Sequence, residues 1–174
     1  MNFRNLLKES TIKNILSEDK IFLLIIGGSA SGKNYIHDKK FSKIDLVDID
    51  KITKRLSGGD FEKARKMVSK AIAEANKEIE SYFNKGKSVA QVTTGSGATG
   101  LINKIKKAES YGFKTAVVLV DVDVKKAIER NQVRADAGEQ GLIPDWKVEK
   151  TNNAARDSFN TVKDLVDYSE IIKN

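Results

Sequence analysis

The feature that most constrains this sequence is a glycine-rich turn that directly follows a run of apolar residues. The apolar run covers residues 21–26, and the turn reads GGSASGK over residues 27–33. An apolar strand, the pattern G-x-x-x-x-G-K and then a helix are typical of a loop that binds phosphate groups. Glycine tolerates the backbone angles that let such a loop curl, so that its N–H groups point inward at an anion. The alternative interpretation is an ordinary flexible loop.

Each residue of this turn, and the residue after it, is a candidate ligand of a nucleotide phosphate. The candidates are Gly27, Gly28, Ser29, Ala30, Ser31, Gly32, Lys33 and Asn34. The ammonium group of Lys33 is expected to reach the β- and γ-phosphates. The motif normally continues with Ser or Thr, whose hydroxyl holds Mg²⁺, but this chain has Asn34. A carboxamide oxygen is also a hard ligand, so Asn34 is a candidate metal ligand. The alternative is weakened metal binding at a phosphate site without catalysis.

Composition limits the classes of protein that this chain can represent. Its 174 residues are typical of one domain, and a net charge of +7 favours acidic partners such as nucleotides or nucleic acid. The absence of cysteine excludes disulfides, thiol catalysis and thiolate zinc sites. No segment approaches the roughly 20 apolar residues of a membrane span, and the first residues do not resemble a secretory signal. We therefore expect a cytoplasmic protein with no membrane partner.

Apolar runs alternate with helical patterns along the chain. Strands are predicted at 21–26, 44–48, 88–93, 113–120 and 168–172. Helices are predicted at 32–39, 52–57, 61–84, 99–110, 124–135 and 145–166. This alternation predicts an α/β fold with a parallel five-stranded sheet and helices on both faces. The predicted domain covers residues 21–174 and follows an N-terminal helical extension over residues 1–20. The only histidine, His37, is expected to be exposed.

Two carboxylates, Asp48 and Asp50, stand at the end of the second predicted strand, where parallel sheets bind their ligands. Because side chains alternate along a strand, we expect only one of them to face the site. Asp50 is the candidate general base for an acceptor hydroxyl. Asp48 is expected to orient Asp50 or to contact a metal ion. The alternative is that Asp50 caps a helix that begins near Ile52.

Two threonines, Thr93 and Thr94, follow the third predicted strand. Their hydroxyl groups lie at the carboxyl edge of the predicted sheet, beside the glycine-rich turn. We therefore consider them candidate contacts of a substrate or of a metal-bound water. A plain turn that leads into the next helix explains the same residues equally well.

Two arginines, Arg130 and Arg134, are four residues apart and therefore lie on one face of a predicted helix. A glycine-containing segment, residues 135–141, follows them. This pattern indicates a lid that closes over nucleotide phosphates, where guanidinium groups stabilise the charge of the transferred group. The alternative is a solvated helix face on which the arginines pair with Glu129 or Asp136.

These segments together resemble the zeta-toxin and polynucleotide-kinase group of P-loop kinases over about residues 21–172. The resemblance rests on GGSASGK, on VDID after the second strand, on the threonine-bearing third strand and on ERNQVR followed by Ile143-Pro144. It implies a kinase-like three-layer sandwich that uses ATP and Mg²⁺. It also implies transfer of the γ-phosphate to a hydroxyl of a polynucleotide 5′ end, a nucleotide sugar or a nucleoside.

By position, Lys33 matches the loop lysine of those kinases, and Asp50 matches their general base. Arg130 and Arg134 match the lid arginines of the group. Thr93 matches a threonine that usually follows an acidic residue, but this chain has Val92 before it. Asn34 and Val92 both depart from the pattern at positions that handle metal and acceptor. They motivate an alternative, a nucleotide-binding protein with a regulatory or assembly role and no phosphotransfer.

Overall fold

A computed structural model describes residues 20–174 of the chain. The described strands are β1 (Ile21–Ile26), β2 (Asp45–Asp48), β3 (Val89–Thr93), β4 (Lys114–Asp121) and β5 (Tyr168–Lys173). The described helices are α1 (Lys33–Lys40), α2 (Ile49–Ser57), α3 (Phe61–Asn84), α4 (Ala98–Ser110), α5 (Val124–Asp136) and α6 (Asp145–Val162). Apart from Lys20, the predicted N-terminal extension lies outside the described residues.

The five described strands form one parallel sheet in the order β2-β3-β1-β4-β5, which confirms the predicted fold class. All six residues of β1 are buried, because this strand has a neighbour on each side and helices on both faces. Its continuous apolar sequence follows from that position. The chain leaves β1 at the middle of the carboxyl edge of the sheet, so the glycine-rich turn lies there.

The two faces of the sheet carry separate hydrophobic cores. On one face, α3, α4 and α6 contribute Ile79, Phe83, Leu101 and Phe159 to a core over Phe22. On the other face, the core includes residues of α1 and of the segment that follows this helix. Among the described residues, no helix is both long and apolar enough to cross a membrane.

Two predicted helix boundaries are wrong. The helix predicted at 52–57 begins at Ile49, because the Asp48 carboxylate accepts hydrogen bonds from the backbone N–H groups of Asp50 and Lys51. Asp48 therefore caps this helix, and Asp50 lies in its first turn. The helix predicted at 145–166 ends at Val162.

The prediction that His37 is exposed is also wrong. The side chain is buried, and Nε2 lies 2.8 Å from the carbonyl oxygen of Ile44. This contact links α1 to the segment that leads into β2.

We predict that Phe83→Ala lowers the free energy of unfolding by about 3–5 kcal/mol. Phe83 is buried, and its ring contacts those of Phe22, Tyr111 and Phe113 at centroid distances of 5.3, 5.4 and 4.8 Å. Urea unfolding measures the change. Val68→Ala on the exposed part of the same helix is the control and should change stability by less than about 0.5 kcal/mol. Equal losses for the two variants would contradict the packing described here.

Candidate phosphate-binding site

The glycine-rich turn bends away from β1 and runs directly into α1. Ala30 and Gly32 adopt left-handed backbone angles, with φ values of 57° and 90°. Gly32 occupies the N-cap position of α1, and its carbonyl oxygen accepts the N–H of Ile36. The loop therefore ends at a helix N-terminus, whose unpaired N–H groups and positive dipole attract anions.

The first two glycines of the loop are required by close packing. A Cβ atom at Gly28 would lie 2.5 Å from backbone atoms of Asn152 in α6. A Cβ atom at Gly27 would lie 2.8 Å from the carbonyl oxygen of Val120 and 2.5 Å from Ser31 Oγ. Neither glycine has a positive φ angle, so the constraint at both positions is space. The loop is thus pressed between β4 and α6.

Lys33 lies across the loop at the start of α1. Its Nζ donates hydrogen bonds to the carbonyl oxygens of Gly27 and Gly28, at 2.8 and 2.9 Å. Burial lowers the pKa of this amine to about 8, although the negative charges of Asp50 and Asp48 oppose the shift. A desolvated cation beside an anion-binding loop is suited to neutralising phosphate oxygens.

Asp48 and Asp50 both line the same cleft as Lys33. The expectation that only one of them faces the site is wrong, because the backbone turns into α2 at Ile49 and the strand alternation ends there. Burial raises the pKa of the Asp50 carboxyl, and the charge of Asp48 adds to this effect. Lys33 and Arg134 act in the opposite direction. Asp50, which is exposed toward the cleft, is consequently a stronger base than an isolated aspartate in water.

Asn34 contacts Asp48 directly, since its Nδ2 donates a 2.7 Å hydrogen bond to Asp48 Oδ2. This bond uses the amide nitrogen and leaves Asn34 Oδ1 as the atom able to bind a cation. The described residues contain no cluster of three His, Cys, Asp or Glu side chains that could enclose a metal ion. Mg²⁺ needs no such cluster, because it usually takes one or two protein oxygens together with phosphate oxygens and water. Asn34 and Asp48 fit that arrangement.

The loop, α2, the start of α3 and the segment after α5 enclose a cleft of about 640 Å³, which we call the phosphate cleft. Thr94 lines it, but Thr93 does not. The Thr93 hydroxyl instead accepts a hydrogen bond from the Gly95 N–H at 3.5 Å, as expected for a turn residue. The structure therefore separates the two threonines that the sequence places together.

The two arginines of α5 have different surroundings. Arg134 lines the phosphate cleft, and its Nε lies 3.3 Å from a carboxylate oxygen of Glu139 in the following segment. Arg130 points toward the glycine-rich loop, where its Nη1 lies 3.5 Å from the carbonyl oxygen of Ser31. The sequence suggested Glu129 or Asp136 as acidic partners, and the acid paired with Arg134 is instead Glu139.

Sequence reasoning missed Asn131, which holds the predicted lid in place. This side chain is fully buried. Its Nδ2 donates to the carbonyl oxygen of Ile143 at 2.7 Å, and its Oδ1 accepts from Gln140 Nε2 at 2.9 Å and from the Ile143 N–H at 3.4 Å. One signal was available: Asn131 lies four residues after Ala127 and thus on the buried face of α5.

Three further residues that hold the loop were also missed. The Ser29 N–H donates to Thr151 Oγ1 at 3.0 Å, and Asn152 Nδ2 donates to the Ser29 carbonyl at 3.2 Å. Asn174 Nδ2 donates to the Ser31 carbonyl at 2.8 Å. These residues are more than 120 positions from the loop in sequence, and no local pattern marks them.

The chain belongs to an AAA domain family, whose model matches residues 22–159. Among solved structures, a candidate kinase from Chloroflexus aurantiacus J-10-fl has a TM-score of 0.69 and 13% identity, covering 90% of this chain and 89% of that chain. A structure of the PezAT toxin-antitoxin system of Streptococcus pneumoniae has a TM-score of 0.66 and 14% identity, and the match covers 99% of this chain and 77% of that chain. The AvrRxo1-ORF1:ORF2 complex with ATP has a TM-score of 0.69 and 18% identity, and the match covers 93% of this chain and 57% of that chain.

No curated protein sequence matches this chain. The structural comparisons confirm the predicted kinase-like P-loop fold and the resemblance to the zeta-toxin group. At identities below 20%, they establish the fold only. The acceptor and the roles of individual residues must therefore be inferred from the geometry of this site.

We predict that Asn131→Ala loosens the segment that carries Gln140 and Ile143. The variant removes three hydrogen bonds and leaves the N–H and carbonyl groups of the half-buried Ile143 without these partners, at a cost of about 1–3 kcal/mol. Hydrogen exchange should become faster in residues 139–143, and ATP should bind less tightly. Gln132→Ala, at an exposed neighbouring position, is the control. Unchanged exchange in this segment would refute the proposed holding role of Asn131.

Proposed function

We propose that this protein is an ATP-dependent phosphotransferase that moves the γ-phosphate to a hydroxyl group. The observation that carries the proposal is that Lys33 and Asp50 line one cleft and interact electrostatically. A cation at a phosphate loop and a carboxylate that can accept the hydroxyl proton are two of the groups that support in-line transfer to a hydroxyl. The ATP in the AvrRxo1-ORF1:ORF2 structure supports ATP as the donor.

The donor end of the reaction is assigned to the loop and Lys33. Backbone N–H groups of the loop and the N-terminus of α1 would hold the phosphates, and the Lys33 ammonium would neutralise negative charge on the transferred group. Mg²⁺, held by Asn34 and Asp48 together with phosphate oxygens, would supply further charge neutralisation. Arg134 would stabilise the same charge from the lid side of the cleft.

The acceptor end is assigned to Asp50. Its carboxylate would accept the proton of the acceptor hydroxyl as the oxygen attacks the γ-phosphate, and ADP would leave on the opposite side. Burial favours this step because it raises the pKa of Asp50 and so increases its basicity. The charges of Lys33 and Arg134 limit that rise, which keeps the carboxylate ionised over a wider pH range.

The part of the cleft beyond Asp50 supports an acceptor that carries both phosphate and an aromatic base. Lys51 and Lys54 line it, together with the ring of Phe61. Lysine ammonium groups bind phosphates, and an aromatic ring offers a stacking surface to a base. We infer that the acceptor is a polynucleotide 5′-hydroxyl or a nucleotide or nucleotide sugar.

A second candidate function is nucleotide binding without phosphotransfer, in a regulatory or assembly role. The hydrogen bond between Asn34 and Asp48 favours it, because a carboxamide occupies the position of the usual metal-binding hydroxyl. Val92 adds to this argument, since related kinases carry an acidic residue at that position. Such a protein would bind ATP with little dependence on Mg²⁺.

We predict that wild-type protein transfers labelled γ-phosphate from Mg-ATP to one member of a pooled set of acceptors. The pool contains 5′-hydroxyl DNA and RNA oligonucleotides, nucleotide sugars, nucleosides and nucleoside monophosphates. Asp50→Asn should reduce transfer by about 10²–10⁴-fold and leave ATP affinity nearly unchanged, because only the proton acceptor is lost. Lys33→Ala should remove both transfer and tight ATP binding.

The matched control is Asp45→Asn, at the exposed first residue of β2, the strand that leads toward Asp48 and Asp50. In addition, kcat/KM should fall as the pH decreases through the raised pKa of Asp50, since the protonated carboxyl cannot accept a proton. This fall should occur at a higher pH than for an ordinary aspartate.

Undiminished turnover by Asp50→Asn would exclude Asp50 as the base. Tight ATP binding with no label on any acceptor would favour the second candidate function.

We further predict that Asn34 determines the Mg²⁺ requirement of the reaction. Asn34→Ala should raise the Mg²⁺ concentration needed for half-maximal transfer, because a ligand oxygen is lost, and Asn34→Ser should restore it. Titration of activity with Mg²⁺ at saturating ATP measures the effect. An inactive wild type that gains transfer activity through Asn34→Ser would instead identify a kinase that has lost its catalytic function.

A further inference from the structure

A second cavity lies between α3 and α4, on the helical face that covers β1 and β3. Its volume is about 320 Å³, within the range of about 300–1,000 Å³ typical of small-molecule sites. We call it the α3–α4 cavity. It shares no lining residue with the phosphate cleft. The proposed phosphotransfer makes no use of it.

The cavity has an apolar floor and a polar rim. Side chains of Phe22, Ile79 and Phe83 form the floor, and Asn76 and Lys104 contribute to the rim. The three floor residues are buried members of the main hydrophobic core. The cavity therefore presents core side chains beside a cation, which suits a ligand with an apolar body and a charged end.

Lys104 is a cation without an ion-pair partner among the described residues. Its Nζ donates to Gln91 Oε1 at 2.7 Å and to Asn76 Oδ1 at 3.2 Å, both neutral acceptors. Its neighbour Lys107, in contrast, pairs with Glu80 at 2.9 Å. Burial lowers the pKa of Lys104 to about 8, and no neighbouring acid opposes that shift. An anion placed at Lys104 would supply the missing charge compensation.

Gln91 adds a second polar group that lacks a partner. The side chain is fully buried on β3, and its Nε2 has no hydrogen-bond partner among the described residues. The amide orientation follows from chemistry, because the Lys104 ammonium can only donate and must therefore face Oε1. Gln91 does not line the cavity, and its part is to hold Lys104 Nζ in position there. Lys104 is the donor that a ligand in the cavity would meet.

Gly100 lines the cavity on the α4 side, in the first turn of that helix. A Cβ atom built there would meet no atom within 4 Å, and the φ angle is not positive. A larger side chain therefore has room at this position, which makes it suitable for a substitution that fills the cavity.

We propose that the α3–α4 cavity binds a small organic anion whose carboxylate pairs with Lys104 and whose apolar body rests on Phe22, Ile79 and Phe83. The ligand class follows from one unpaired cation and an apolar floor. A nucleotide fits poorly, because a triphosphate needs several cations and Lys107 is already paired. This site is independent of the proposed phosphotransfer.

The test uses 3-phenylpropionate as the probe and 3-phenylpropan-1-ol as its uncharged counterpart. Binding to the ¹⁵N-labelled full chain is followed through backbone amide shifts. We expect 3-phenylpropionate to shift the amides of Asn76, Gly100 and Asn103, and the alcohol to bind at least about tenfold more weakly because it cannot form the charged hydrogen bond. Lys104→Met should weaken binding of the acid by about tenfold and leave that of the alcohol nearly unchanged.

Two further variants keep the test decisive. Lys106→Met removes an exposed lysine of the same helix that does not line the cavity, and it should bind the acid as the wild type does. Gly100→Leu retains every charged group and improves helix propensity, but its side chain should enter the cavity and weaken both probes. Equal binding of acid and alcohol, full binding by Lys104→Met, or shifts confined to the phosphate cleft would each overturn the proposal. So would the absence of any shift.

Discussion

The site depends on the burial of β1 between two strands and two helical layers. Burial on both faces requires an apolar strand, and the central position brings the end of that strand to the middle of the carboxyl edge. The loop that follows is then packed against the end of β4 and the middle of α6, where only glycine fits at positions 27 and 28. The same packing that stabilises the sheet therefore fixes the loop in place and partly desolvates it.

Partial desolvation explains the opposite pKa shifts of Lys33 and Asp50. Burial penalises both charges, so it lowers the pKa of the lysine and raises that of the aspartate. Each charge offsets part of the penalty on the other. The carbonyl oxygens of Gly27 and Gly28 help to hold the lysine, and Asp48 is stabilised as a helix cap and by Asn34. Lys33 is half-buried and Asp50 is exposed toward the cleft. Ionisable groups with shifted pKa values are typical of functional sites.

Local pattern was sufficient to predict the sheet, the phosphate loop and the position of Lys33, because strand burial and loop geometry leave clear signals in sequence. Local pattern gave the wrong orientation for Asp48 and Asp50. The prediction assumed that side chains alternate as in a strand up to Asp50, but the helix already begins at Ile49. Local pattern also could not predict the roles of Thr151, Asn152 and Asn174, since their contacts with the loop depend on how distant elements pack. For Asn131, the sequence was sufficient to predict a position on the buried face of α5, but it could not predict the hydrogen-bond partners of the side chain.

These missed residues show how the two halves of the phosphate cleft differ. The loop is held from outside through Ser29 and Ser31, and the predicted lid segment is held through Asn131. The half of the cleft proposed to bind the donor is thus fixed by contacts within the protein. Such preorganisation reduces the entropy lost on binding and keeps reacting groups in place. The half proposed to bind the acceptor is lined by α2 and the start of α3, where Phe61 is 46% exposed. Acceptor specificity can therefore change through surface residues of α2 and α3 without disturbing the phosphate loop.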